Sequence, residues 1–162
     1  KKRTRVLLTF EFPEHTAVFK EEDGPQPLGR SVTYTASLSQ KATLRNHLQS
    51  WRGRAFTAEE LVKFDLVNVL GQPCLASVQH VTNDSGKTTD KITGLSSLPK
   101  GLECPEPSVT PWSYNIEDHP KNWDKVPAWA REDILASDTY QAQVTNTEPT
   151  NQEETIVDDV PF

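Results

Sequence analysis

Hydrophobic and polar positions change period several times along the chain. Arg5 to Phe12, RVLLTFEF, is rich in β-branched and aromatic groups and predicts a strand. Glu21 to Gly29 carries the Gly and Pro density of a loop or long hairpin connection. In Ser31 to Leu38, Val32, Tyr34, Ala36 and Leu38 alternate with Ser and Thr, the mark of a half-buried strand. The period then lengthens. Leu44, Leu48 and Trp51 stand at i, i+4 and i+7, one stripe of a helix, with Lys41, Arg45 and Arg52 off that stripe. Thr57-Ala58-Glu59-Glu60 has capping-box spacing and opens a short helix through Phe64. Pro73 to Val81 and Lys87 to Leu98 read as two strands around the turn Asn83-Asp84-Ser85-Gly86.

Beyond Pro99 the texture is different. Residues 99–127 hold six prolines together with Trp112, Tyr114 and Trp123, which predicts an extended arm strapped down by its aromatics. Residues 127–135 read as a terminal helix with Pro127 in its first turn. From Ala136 onward large apolar groups are sparse and Thr, Asn, Gln and Glu abundant. Such a segment buries too little surface to offset its ordering entropy, so 136–162 is expected to be a disordered acidic tail. The expected body spans 1–135, mainly β with a helical insert over residues 41–64. That order suits an OB-fold-like five-stranded barrel, its fifth strand lying upstream of Lys1 or within the arm; a small α+β sheet is the alternative.

Composition narrows the function classes. With 35% hydrophobic residues in 162, the chain supports one body with a real core. It has no apolar run of 18 residues and no secretory start, so no membrane partner is expected and a cytoplasmic setting is. Cys74 and Cys104 lack CxxC spacing and fit reduced thiols. The net charge of −6 hides an asymmetry. Residues 1–100 hold 14 Lys and Arg against 10 Asp and Glu, a net of +4; residues 101–162 hold 3 against 13, a net of −10. A mildly basic body joined to an acidic end is the pattern of a nucleic-acid binder with an interaction tail.

Single-stranded nucleic acid needs cations for phosphates and flat rings for bases. Arg45 to Phe56, RNHLQSWRGRAF, supplies Arg45, Trp51, Arg52, Arg54 and Phe56 in one short stretch. Tyr34 and Lys41, with Lys87 and Lys91 at and after the hairpin turn, complete the candidate DNA-contact set. Trp51 also completes the apolar helix stripe, a competing core role. Gly86-Lys87-Thr88 is not a phosphate loop, because Val81 stands where that motif needs Gly. No nucleophile, metal-ligand or paired-carboxylate motif appears, so neither catalysis nor a cofactor or metal is expected.

The chain closes on Asp158-Asp159-Val160-Pro161-Phe162. This tip resembles the acidic Pro-Phe terminus of bacterial and phage single-stranded-DNA-binding proteins. The stretch from Tyr34 to Leu61 is similar to uncharacterised phage and prophage proteins. The resemblance implies a body that coats single-stranded DNA, possible homo-oligomers, and a tip, Asp158 to Phe162, that recruits replication or recombination proteins in a bacterial cytoplasm. The rival expectation is a non-catalytic adaptor or virion-associated protein whose tail alone acts.

Overall fold

The computed structural model describes residues 3–147, which fall into two compact units that divide between Pro111 and Trp112. The expected tail beyond Thr147, including the tip Asp158, Asp159, Val160, Pro161 and Phe162, lies outside the described residues.

In the first unit, β1 (Arg5–Val18) pairs antiparallel with β2 (Pro25–Thr35). The register runs from Arg5 opposite Thr35 to Phe12 opposite Leu28, slips, and resumes with Thr16 opposite Pro27. The slip leaves Pro13 to His15 unpaired, as a bulge that bends the ribbon. The Gly/Pro stretch expected to be a loop or a long hairpin connection does join two hairpin strands, with Pro25 to Gly29 already in β2. Only Glu21–Asp23 form a turn, closed by Gly24 at φ 64. Pro25 and Pro27 fit a two-stranded ribbon because a strand with an open edge tolerates a missing N–H donor.

Helix α1 (Thr43–Arg52) follows the expected stripe, burying Leu44 and Leu48, and ends at Gly53, whose φ of 73 favours glycine. Helix α2 (Ala58–Lys63) starts with a complete capping box: Glu60 N–H donates to Thr57 Oγ1 and Thr57 N–H to the Glu60 carboxylate. β3 (Leu75–Thr82) and β4 (Thr88–Ser96) form the second antiparallel hairpin, bulged at Ser77/Val78. Asn83 Oδ1 holds its turn by accepting from Lys87 N–H at 2.9 Å. α1 packs on both β2 and β4. The core gathers Tyr34, Leu44, Leu48 and Phe56, with Leu8, Val32, Leu38, Trp51, Leu61 and Phe64 against them.

The fold is thus mixed α/β, with two two-stranded antiparallel sheets and four helices among the described residues. The five-stranded closed barrel is not formed there. β2 and β4 meet through side chains, Arg30 to Asp90 at 2.6 Å, instead of a backbone ladder.

The second unit is built on rings. The Tyr114–Trp123, His119–Trp123 and His119–Tyr140 centroids lie 5.5, 5.0 and 5.3 Å apart. Arg131 sits over the Trp123 ring and donates to the Asp124 and Val126 carbonyls. Helix α3 (Ala128–Leu135) starts after Pro127 as expected. The tail expected from Ala136 is corrected by a further helix, α4 (Asp138–Thr147). Two local features outweigh its polar composition. Ser137 Oγ accepts from Tyr140 N–H at the helix start, and Tyr140 sets its ring against His119. Among the described residues no helix is long and apolar enough to cross a membrane.

Candidate nucleic-acid interface

The end of α1 and the start of α2 are tied by one carboxylate. Glu60 receives Arg52 in a two-pronged pair (2.8 and 3.3 Å) and Arg54 at 2.8 Å. The Arg52 hydrogen bonds, followed by the Thr57 backbone N–H, hold its carboxyl down at about 2. The guanidinium of Arg52 also lies 4.3 Å over the Phe56 ring. Beside this knot opens a groove of about 670 Å³, lined among others by Trp51, Arg52, Phe56, Lys63, Phe64 and Asn68.

The groove brings together only part of the expected DNA-contact set. Trp51 is half-buried, and its indole N–H donates to the Pro73 carbonyl at 2.8 Å while its ring meets Phe10. It serves core and groove at once. Arg54 is not part of the groove lining; it pairs with Glu60 while 61% of its side chain stays exposed. Phe56 is corrected as a base platform. At 7% exposure it has Arg52 over one face and Phe64 edge-on at 4.9 Å, so no face is free to stack.

Tyr34 is corrected for the same reason. It is 3% exposed, and its hydroxyl lies 2.9 Å from His47 Nδ1. Burial pushes the phenol up to about 12, with the nearby Cys74 adding to the shift, and burial pushes the His47 imidazole down against an opposing backbone hydrogen bond at Thr93. Both shifts describe one arrangement, in which a protonated phenol donates to a neutral imidazole. Arg45 is structural: it donates to the Leu38 carbonyl and to Gln49 Oε1, fastening the loop before α1.

The three lysines lie apart from the groove. Lys41 lines a second hollow of about 370 Å³ with Arg3 and the hydroxyls of Ser37, Ser39 and Thr43. Lys87 is exposed beside the β3–β4 turn, and Lys91, opposite Gln79, is exposed on β4.

Sequence reasoning missed Lys63 and Phe64, which the capping box sets on the groove wall at the end of α2. Their position one helix turn beyond Glu60 was the available signal. It also missed Phe19, 67% exposed beside Lys20 near the far end of the first hairpin, where a strand-to-turn boundary leaves a ring uncovered. Comparison of the chain with known protein families, curated proteins and solved structures finds no match.

Proposed function

We propose that this protein binds single-stranded DNA in replication or recombination, with its C-terminal Asp158–Phe162 tip recruiting partner proteins in a bacterial or phage-infected cytoplasm. The observation that supports the reading best is the open groove of about 670 Å³ whose lining includes Trp51 and Phe64 together with Arg52 and Lys63. A single strand is held without sequence preference by this mixture, rings for bases and cations for phosphates. Arg54, and apart from the groove the exposed lysines 41, 87 and 91, are further cations open to phosphates.

Phosphate binding at Arg52 and Arg54 competes with Glu60, so the groove favours a strand that brings several phosphates at once. The OB-fold assignment belongs to the same proposal and rests on element order: hairpin strands, helical insert, hairpin strands. A Glu60-neutralised groove also favours the adaptor reading, in which the tail alone acts.

Fluorescence anisotropy with labelled oligo-dT at about 50 mM and about 300 mM salt separates the two, because phosphate contacts release counterions and lose affinity as salt rises. The full chain, a form ending at Val157 and Arg54→Ala/Lys63→Ala are compared. Salt-sensitive binding that weakens at least several-fold in the double variant upholds the DNA reading. No binding at low salt by either the full or the shortened chain overturns it.

A further inference from the structure

Strand β3 carries an unguarded edge. Among the described residues it pairs with β4 alone, so the main-chain donors and acceptors of its other side have no ladder partner. Proteins usually blunt such an edge with charge or proline. The other strands follow that practice: β1 carries Arg5, Glu11, Pro13 and Glu14, β2 carries two prolines and Arg30, and β4 carries Asp90 and Lys91. β3, LASVQHVT, has no Lys, Arg, Asp, Glu or Pro. Its one titratable group, His80, is engaged by Asp90 at 2.6 Å. Its apolar residues are nonetheless uncovered, with Leu75, Val78 and Val81 exposed at 45, 46 and 40%.

We infer that the occupant of this edge is a second copy of the chain, joined through antiparallel β3–β3 pairing into a continuous four-stranded sheet. The argument is self-complementarity. A two-fold axis at Val78 sets Leu75 against the partner's Val81 and Val81 against the partner's Leu75, two apolar cross-strand pairs on one face. On the opposite face Val78 meets its own copy. A one-residue slip breaks all three pairs, so the pattern fixes a register. Charge points the same way. Two copies of a chain with net charge −6 repel in general, and a strand without formal charge is where they meet at least cost. One strand edge is a narrow contact, which makes the association weak and concentration-dependent.

The test is sedimentation of the full chain without DNA from about 1 µM to about 300 µM, joined to a cross-link. The mass is expected to rise from 18.2 kDa towards twice that value, with little dependence on salt. Val78→Lys sets two ammonium groups face to face and is expected to raise the concentration needed at least tenfold.

Val78→Cys in a Cys74→Ser/Cys104→Ser background places two thiols on the axis. Directly opposed residues have Cα atoms about 4.5–5.5 Å apart, within disulfide reach. Diamide takes the two electrons and two protons as the S–S bond forms. Ser77→Cys in the same background sits about 8 Å from its copy in this register and cross-links several-fold less. A dimer that weakens with Val78→Lys and cross-links preferentially through position 78 upholds the proposal. A monomer at every concentration, a dimer indifferent to Val78→Lys, or cross-linking without preference overturns it.

Discussion

Replacing Tyr34 with Phe tests the reassignment of that residue from DNA contact to core. The substitution keeps the ring, which fills space among Leu44, Leu48 and Phe56, and deletes only the hydroxyl that faces His47 Nδ1 at 2.9 Å. A typical hydrogen bond contributes about 0.5–1.5 kcal/mol net, and a partner left unpaired in a buried setting costs about 1–3 kcal/mol. His47 is only half-buried, so water partly compensates, and a loss of about 1–2 kcal/mol is expected. The assay is the denaturation midpoint together with amide-exchange protection in β2 and α1, which reads the first unit locally. On the DNA reading, affinity for oligo-dT is expected to stay unchanged, because a ring 3% exposed has no face to offer a base. A variant of unaltered stability whose DNA affinity falls several-fold would refute this reasoning and return Tyr34 to the binding surface.

The pair also has a pH signature at each end of the scale. The phenol is raised in the folded state to about 12 from its ordinary 10.0, so its contribution is complete below pH 10 and is lost as pH rises from there through about 12. Tyr34→Phe should flatten that alkaline decline. His47 is lowered from its ordinary 6.5, so its contribution is present above pH 6.5 and is lost as pH falls through its lower folded value. His47→Gln should flatten the acid side of the profile below about pH 6.5. Combined in a double-mutant cycle, the two substitutions should cost less than their sum, because each removes the same contact.

Three further outcomes are expected. Glu60→Gln frees Arg52 and Arg54 from their carboxylate, so on the DNA reading affinity at low salt rises several-fold and the salt dependence steepens, measured by anisotropy; weaker binding would place both arginines outside the interface. Phe56→Ala empties a core position packed by Phe64 and Arg52 and should cost about 3–5 kcal/mol in chemical denaturation, a destabilisation that accompanies any loss of binding. Tyr140→Ala removes the ring that α4 sets against His119 and should lower helical circular dichroism and amide protection over residues 138–147, while protection in α1 and β2 is unchanged.

How much of this was legible in the sequence depends on the range of the cause. The α1 stripe, the Thr57 capping box and the Asn83 turn were readable because each is decided by residues within a turn of one another. The ends of β1 and β2 were not. Val18 and Pro25 are strand residues only because they pair with each other across the bulge, a match that local Gly and Pro content conceals. Helix α4 was misread because composition averages over a segment, whereas one ring at Tyr140 and one hydroxyl at Ser137 suffice to anchor it.

The site follows the same logic with a consequence for function. Tyr34, Arg45, Trp51, Arg52 and Phe56 stand in the sequence as rings and cations of equal standing, and only packing ranks them. Tyr34 and Phe56 are taken into the core, Arg45 fastens a loop, and Trp51 is shared between core and groove. Arg52 is held between a ring and a carboxylate. What packing leaves to solvent is Arg54, Lys63 and the lysines at 41, 87 and 91. Binding through this set would draw more on phosphate neutralisation than on base stacking. Loss of affinity with salt should therefore exceed loss with any single ring: Trp51→Ala, corrected for its stability cost, should weaken binding less than Arg54→Ala/Lys63→Ala. The reverse order would mean that bases, and not phosphates, carry the contact.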